Sequence, residues 1–199
     1  MFIHYICKAS DKAMKAFPII ETERFILREI MDSDVEEVFE MRSNPELMRF
    51  IPRPLCKLKD EALLHIQKLQ TGYTENDSVN WGITYKNDRK IIGIIGYVSM
   101  QPDNFRAEIG YILNKPDHKK GVMREILKPI MHFGFAHLNL HSIAAVVDPA
   151  NQASIALLQA NGFTKEGHFR EDCYFEGQFL DSMHYSVLKS DFNFKPFLA

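Results

Sequence analysis

Residues 117–125 (DHKKGVMRE) combine basic side chains with a glycine at the point where a strand pattern gives way to a helix pattern. Helix N-termini favour acidic side chains, because the helix dipole and the free N–H groups are positive there. A basic side chain at this position therefore lowers helix stability by roughly 0.3–1 kcal/mol unless a bound anion offsets its charge, and the chain has three of them: Lys119, Lys120 and Arg124. An anion bound by the free N–H groups would reverse that cost, and Gly121 would let the backbone approach it closely. A solvated basic loop with a turn glycine accounts for the same residues.

Two other segments carry polar residues at positions where chemistry could occur. Asn151 is a typical N-cap for the helix pattern that follows it, and Ser154 lies one turn into that helix. Both residues fit plain helix capping as well as contact with a ligand. Glu108 and Gly110 interrupt an otherwise apolar strand, and a strand glycine indicates a bulge or a close backbone approach. Glu108 could act as a base, or it could face solvent from a half-exposed sheet.

The elements that must position these residues follow from the spacing of apolar side chains and from turn signals. Three successive strands with short turns predict an antiparallel meander, and the later strand–helix–strand order predicts crossovers. The sequence therefore predicts an α+β fold around one mixed sheet. Strands are predicted at residues 23–29, 80–85, 91–100, 107–113, 142–147 and 179–188, and helices at 35–41, 58–69, 121–138 and 151–160.

Composition excludes several classes of protein. The chain has 199 residues, of which 46% are hydrophobic, so it can bury the core of one domain. A net charge of −2 argues against binding nucleic acid through bulk charge, and no apolar run is long enough to span a bilayer. Residues 1–17 lack the apolar region of a signal peptide. We interpret them as an extension that precedes a single domain over residues 18–199.

Cysteine and histidine usage indicates neither a disulfide framework nor a metal site. Cys7, Cys56 and Cys173 are odd in number and widely spaced, and the sequence contains no CxxC and no HExxH pattern. The sequence therefore predicts a protein of the reducing cytoplasm that holds no metal.

Five phrases, taken in order, resemble the GCN5-related N-acetyltransferase (GNAT) superfamily, and most closely its ribosomal-protein-serine/alanine N-acetyltransferase-like branch. The resemblance runs from about residue 21 to about residue 188. It implies a central mixed, mostly antiparallel sheet of 6–7 strands flanked by about four helices. The phrases are ETERFILRE (21–29), AEIGYIL (107–113), KKGVMREILKPIMHFGF (119–135), DPANQASIALLQANGF (148–163) and FLDSMHYSVL (179–188).

The resemblance implies that acetyl-CoA is the co-substrate. In this family a loop of the form Arg/Gln-x-x-Gly-x-Gly/Ala holds the CoA pyrophosphate, and it falls on residues 118–123 here. Gly121 matches that pattern, whereas His118, Lys119 and Met123 depart from it, and close relatives often carry a glycine at position 119. The backbone of residues 109–113 would pair with the pantetheine arm like an added strand. The implied cofactor-binding residues are Ile109, Tyr111, Ile112, Leu113, His118, Lys119, Lys120, Gly121, Val122, Met123, Arg124, Asn151 and Ser154.

The resemblance also implies direct attack of an amine on the thioester within a ternary complex. Glu108 is the first candidate for the base, acting directly or through water. Ser154 is a candidate for protonating or hydrogen-bonding the leaving thiolate, and Asn151 would lie near it. Many members carry a tyrosine acid seven residues after the asparagine, where this chain has Leu158.

The sequence allows more than one class of acceptor amine. A protein N-terminal α-amine and a small-molecule amine (an antibiotic, a polyamine or an amino acid) are alternatives, and helices 35–41 and 58–69 would shape the acceptor side. Arg49, Arg53 and Lys57 lie in the loop between those helices and disfavour a polycation. A regulatory module that binds CoA without turnover is a further alternative, motivated by the altered loop and by Pro129 within the predicted cofactor helix. No nucleic acid or membrane partner is expected, and a homodimer is allowed.

Overall fold

One eight-stranded sheet runs through the computed structural model, which describes residues 16–192. The strand order is β1-β2-β3-β4-β5-β6-β8-β7, and every neighbouring pair is antiparallel except β5 with β6. The predicted α+β class, with a mixed and mostly antiparallel sheet, is therefore confirmed. The strands are β1 Ile20–Glu21, β2 Phe25–Arg28, β3 Val79–Tyr85, β4 Ile91–Gln101, β5 Arg106–Leu113, β6 Ser142–Val147, β7 Thr164–Phe175 and β8 Gln178–Leu188.

Five α-helices accompany the sheet within the described residues, one more than the sequence predicts. The additional helix is α2, which begins where the first predicted helix was expected to stop. The Asn44 side chain accepts hydrogen bonds from the backbone N–H groups of Glu46 and Leu47, and Pro45 occupies the first helical position. The helices are α1 Val35–Arg42, α2 Pro45–Met48, α3 Lys59–Thr74, α4 Val122–Ala136 and α5 Gln152–Ala160.

The helices cover the two faces of the sheet unequally. On one face α4 and α5 enclose the main core, which contains Trp81, Tyr97 and Phe135. On the other face α1 and α3 cover only the part of the sheet near Ile91 and Ile94. Exposed apolar side chains mark the uncovered remainder of that second face, which carries Val98, Val146 and Leu188. The second face therefore leaves the β5–β6–β8 region accessible.

A buried tyrosine explains the glycine within α4. The Tyr97 hydroxyl donates a hydrogen bond to the Ile130 carbonyl at 2.9 Å. A side chain at Gly134 would collide with this hydroxyl, so that only glycine admits the contact. Pro129 lies inside α4 without ending it.

The first described residues are tied to the domain. The Phe17 ring lies 4.8 Å from the Tyr73 ring, and the Trp81 indole N–H donates to the Pro18 carbonyl at 2.7 Å. Residues 1–15 and Cys7 lie outside the described residues, so the extension remains a prediction.

Candidate active site

The sheet opens between its two parallel strands. β5 pairs with β6 only at Arg106, Ala107 and Glu108, and beyond this point residues 109–113 pair with β4 alone. The second half of β6 likewise pairs only with β8. One edge of residues 109–113 therefore offers backbone N–H and C=O groups that pair with no strand in the described part of the chain. Such an edge can bind an extended ligand through main-chain hydrogen bonds.

Topology brings the three predicted segments to this opening. The carboxyl ends of parallel strands lie at the same edge of a sheet, and α4 and α5 each follow one of these strands. The loop at residues 118–121 and the N-terminus of α5 therefore flank the opening. Ile109 and Val122 have buried side chains, so only their backbone groups can contact a ligand.

The N-terminus of α4 meets the requirements of an anion site. Gly121 is its N-cap residue, has a φ of +76° and provides no side-chain cap, so the first-turn N–H groups lack intrahelical partners. A Cβ added at this glycine would meet only the Arg24 Nη2 atom, at 3.6 Å. Lys119 and Arg124 are exposed and pair with no acid within residues 16–192, whereas Lys120 Nζ lies 3.2 Å from Asp117. The residues present thus fit a diphosphate.

His118 and Asp117 make contacts within the protein that shape the loop. The His118 Nε2 atom lies 2.8 Å from the Leu113 carbonyl oxygen, within hydrogen-bonding distance. The buried Asp117 accepts a hydrogen bond from the Tyr85 hydroxyl at 2.9 Å. These contacts fix the loop against the ends of β3 and β5.

An ion pair between distant segments anchors the start of α4. Glu125 accepts hydrogen bonds from the Thr22 hydroxyl at 2.6 Å, the Arg24 backbone N–H at 2.9 Å and the Arg24 Nε at 2.6 Å. Arg24 also donates to the Lys120 carbonyl at 3.1 Å. Burial raises the pKa of Glu125, but these donors outweigh it and hold the pKa below its usual value. These contacts of Glu125 with Thr22 and Arg24 are here called the Glu125 clasp. Sequence reasoning missed it, because its partners lie about a hundred positions apart.

Lys119 occupies a backbone conformation that favours glycine, with a φ of +61°. We expect Lys119→Gly to stabilise the protein by roughly 0.5–1 kcal/mol, since relief of about 1–2 kcal/mol of left-handed strain exceeds the added entropy cost. Urea unfolding of the two proteins measures this difference. Lys120→Gly is the matched control and should destabilise, because this residue has no positive φ and loses its ion pair with Asp117. A less stable Lys119→Gly protein would contradict the strain argument.

Beside the opening, on the α4–α5 side, lies a buried hydroxyl without a partner. The Tyr111 Oη atom has no partner within residues 16–192 at full hydrogen-bonding geometry, although the Ser154 hydroxyl is close enough to act on it, and an unsatisfied donor is costly unless a ligand or water binds it. Burial raises the pKa of Tyr111, while the nearby Ser154 hydroxyl lowers it. Asn151 accepts a hydrogen bond from the Ser154 N–H at 3.2 Å and so caps α5. Tyr111 was predicted to contribute its backbone, and no local pattern indicated a role for its hydroxyl.

Glu108 projects from the opposite face of the sheet, where Ile112 of the same strand packs against the α1–α3 cluster. Burial raises its pKa, and the charges of His184, Arg53 and Arg106 lower it without cancelling that effect. A carboxylate whose pKa is shifted upwards is a stronger base near neutral pH than an ordinary glutamate. This residue is also the last one in β5 that pairs with β6, so it lies at the base of the opening.

A cleft of about 330 Å³ lies between the α2–α3 connection, the end of β6 and the β7–β8 hairpin, and the charge of its lining residue Arg53 acts on Glu108. Three of its four acidic residues already have partners. Asp181 lies 2.7 Å from His168, Asp172 accepts from the Ser182 hydroxyl, and Asp148 accepts from the Ala150 N–H. The charged residues of the cleft are Arg49, Arg53, Asp148, Asp172, Glu176 and Asp181.

The two arginines of the cleft have no such partners. Within residues 16–192 neither the Arg49 nor the Arg53 guanidinium forms an ion pair or a hydrogen bond, although the Arg49 guanidinium lies 5.1 Å from the centre of the Phe50 ring. Glu176 is the one acid of the cleft without a polar partner in the same range. The cleft wall formed by the α2–α3 connection is therefore positive, and its guanidinium groups form no ion pair.

No group of three or more His, Cys, Asp or Glu side chains among residues 16–192 is placed to hold a metal ion. No helix in this range is both long enough and apolar enough to cross a membrane.

Known proteins match nearly the whole of this architecture. The family model described as acetyltransferase (GNAT) domain matches residues 24–164. The uncharacterized N-acetyltransferase YoaA of Bacillus subtilis (strain 168) is 36% identical over 173 residues, covering 87% of this chain and 98% of that protein.

Two solved structures are similar as well. The ribosomal-protein-S5-alanine acetyltransferase of Vibrio fischeri aligns with a TM-score of 0.76 at 25% identity, covering 90% of this chain and 100% of that one. The spermidine N-acetyltransferase of Vibrio cholerae, solved in complex with CoA and spermine, aligns with a TM-score of 0.75 at 22% identity. That alignment covers 84% of this chain and 96% of the other, and at this identity it indicates the shared fold alone.

Proposed function

The chain belongs to the GNAT acetyltransferase family, as its sequence predicted, and from that premise we propose that it acetylates the α-amine of a protein or peptide N-terminus. The observation that carries this proposal is the opening between β5 and β6, which has an anion site on one side and Glu108 with the cleft on the other. Acetyl-CoA supplies the acetyl thioester when bound.

Each flank of the opening has a separate task in this proposal. Backbone N–H groups from Gly121 to Arg124 hold the diphosphate, and the free edge of residues 109–113 binds the amide-rich arm. The hydroxyls of Tyr111 and Ser154 lie where they donate hydrogen bonds to the leaving sulfur. Lys119 and Arg124 add positive charge near the diphosphate. His118 acts indirectly, because its ring faces the Leu113 carbonyl.

The chemistry requires a neutral amine and two proton transfers. The amine nitrogen forms a bond to the acetyl carbon, the carbon–sulfur bond breaks, and the nitrogen gives a proton to Glu108 directly or through water. The departing thiolate takes a proton from the Ser154 hydroxyl, which regains one from solvent. An α-amine has a pKa of about 7.7–8.0, so it needs far less help from a base than a lysine amine near 10.4.

The charges of the cleft favour a peptide over a polyamine. A polyamine in the cleft would face the unpaired guanidinium groups of Arg49 and Arg53, whereas a peptide can present acidic side chains to them. The acidic residues on the hairpin side, and the unpaired Glu176 in particular, favour the runner-up, a polyamine acceptor. A regulatory module remains the third possibility, and it predicts CoA binding without thiol release for any amine. Cytoplasmic location and homodimer formation remain predictions.

We expect peptides with acidic residues after the free N-terminus to be acetylated faster than matched basic peptides or spermidine. Thiol release measured as kcat/KM gives the ratio of acidic to basic acceptors. Reversing both arginines, in Arg49→Glu with Arg53→Glu, should lower that ratio about tenfold, since each exposed charge pair contributes about 0.2–1 kcal/mol. The ratio cancels any effect of Arg53 on Glu108, because both acceptors share the same base.

Lys57→Glu is the control for this experiment, because Lys57 lies in the same connection but does not line the cleft. Its reversal should leave the ratio unchanged. Faster turnover of spermidine than of any peptide by the wild-type protein would replace the peptide proposal with the runner-up.

A further inference from the structure

Three polar side chains form a connected group on the β7–β8 hairpin. The buried Ser182 hydroxyl lies 2.7 Å from Asp172 Oδ2, and the His184 Nε2 atom lies 3.1 Å from the same hydroxyl oxygen. The distance from His184 Nε2 to Asp172 Oδ2 is 3.7 Å. The ring of Phe169 covers the imidazole, with centroids 4.3 Å apart. The group therefore holds the imidazole in one orientation.

These contacts select the tautomer of His184. An ionised carboxylate only accepts hydrogen bonds, so Ser182 donates its single proton to Asp172. The hydroxyl oxygen then offers only lone pairs to His184, and the Nε2 atom must carry the hydrogen of that contact. In the neutral ring the free lone pair consequently lies on Nδ1. His184 is thus prepared to accept a proton at Nδ1.

Register places His184 on the same side of the sheet as Glu108. Glu108 pairs with Ala144, which pairs with Ser186, and His184 is two residues from Ser186 and pairs with Val146. Side chains two residues apart in a strand share a face. The charges of His184 and Glu108 act on each other across the small side chain of Ala144.

We propose that His184 receives the proton that Glu108 takes from the acceptor amine and passes it to solvent. This inference rests on the proposed acetyltransferase function. The proton leaves the amine nitrogen, resides on the Glu108 carboxylate and moves to His184 Nδ1, which returns Glu108 to its charged form. His184 acts through Glu108, and Ser182 with Asp172 positions it.

The charged groups around His184 suit this task. Asp172 from β7 lies 3.7 Å from the imidazole, and Glu108 from β5 interacts with its charge. Glu166 of β7 accepts a hydrogen bond from the Ser186 hydroxyl, which is two residues along β8 from His184. Arg53 faces Glu108 from the α2–α3 connection and favours release of the proton from that carboxylate.

The test removes the proton-accepting nitrogen of His184 but keeps a hydrogen bond to Ser182. In His184→Gln the side-chain amide can still donate to the Ser182 oxygen, but it cannot accept a proton. At pH 7 we expect kcat for an N-terminal peptide to fall about 10–100-fold, with affinity for CoA unchanged. The loss should shrink as the pH rises and free amine becomes abundant, and added imidazole should restore part of the rate. Ser182→Ala should show a smaller loss of the same kind, reversed in Ser182→Thr.

His168→Gln is the matched control, because His168 lies on the same hairpin but pairs with Asp181. It should keep the wild-type pH profile. A His184→Gln protein with wild-type kcat overturns the relay. A loss that is equal at every pH and insensitive to imidazole overturns it as well, because it indicates a structural role.

A measurement without turnover separates this inference from the proposed function. Nitrogen-15 shifts of the neutral His184 ring should report hydrogen on Nε2, and this preference should disappear in Ser182→Ala. Hydrogen on Nδ1 overturns the relay whatever the activity. A protein with the expected tautomer that releases no thiol with any amine overturns the proposed function and the relay with it.

Discussion

We expect Gly121→Glu to abolish measurable binding of coenzyme A while the protein stays folded. The new carboxylate lies at the free N–H groups of α4, where it occupies the anion site and repels the diphosphate. Two charges about 4 Å apart near a protein surface interact by about 4 kcal/mol, which corresponds to a several-hundred-fold loss of affinity. The fold tolerates the change, because a side chain at this position meets only Arg24. Calorimetric titration with acetyl-CoA measures the loss.

Gly162→Glu provides the control for this variant. Gly162 has a φ of +86°, and an added Cβ would have no neighbour within 4 Å, so the substitution costs the same backbone strain of about 1–2 kcal/mol. It follows the carboxyl end of α5, at the opposite end of the sheet from the opening. Equal loss of stability in both variants, with loss of affinity only in Gly121→Glu, supports the anion site. Unchanged affinity in Gly121→Glu refutes it.

The fold was predictable wherever the residues of an element share one environment. The apolar stripe of α4 and the unbroken apolar run of β4 are periodic signals that local sequence carries. β7 was missed because it is an edge strand, whose residues Thr164–Phe175 are mostly exposed on both faces. α2 was missed because Asn44 and Pro45 can end one helix or begin another, and only the surrounding structure decides between them.

The same distinction between local and distant contacts decides which parts of the candidate site were predictable. The loop before α4 and the cap of α5 were predictable, since each directly follows a strand whose end meets the opening. The Glu125 clasp and the influence of His184 on Glu108 join residues more than 70 positions apart, and no spacing rule connects them. The sequence could therefore nominate the groups that lie at the opening but not the distant residues that hold or tune them.

Lys119 departs from the family pattern at a position whose backbone conformation favours glycine. The family often has glycine at this position, and the structure gives the reason in the positive φ that the lysine must adopt. The chain accepts strain there and gains an unpaired cation beside the anion site. Stability and diphosphate affinity are therefore opposed at this residue.

Glu108→Gln is expected to reduce kcat by about 10²–10⁴-fold, the usual contribution of a general base. Affinity for acetyl-CoA should change little, because Glu108 lies on the acceptor side of the opening. The wild-type rate should fall as the pH decreases through the raised pKa of Glu108, since only the ionised carboxylate accepts a proton. The variant should lack this limb of the pH–rate profile. Glu166→Gln, which removes a carboxylate of β7 on the far side of β8, is the control and should retain kcat.

The same substitution should make the protein more stable at neutral pH. Burial raises the folded-state pKa of Glu108, so the folded protein binds its proton more tightly than the unfolded chain does. Between the pKa of Glu108 in the unfolded chain and its higher pKa in the folded protein, stability therefore decreases as the pH rises. Above both of these pKa values the charged Glu108 destabilises the fold. A glutamine of the same shape has no such cost, and its advantage should vanish below the pKa of an unfolded glutamate. Urea unfolding at pH 7 and pH 4 tests this sign. A variant that is both slower and less stable at pH 7 would indicate that Glu108 serves the structure and not the reaction.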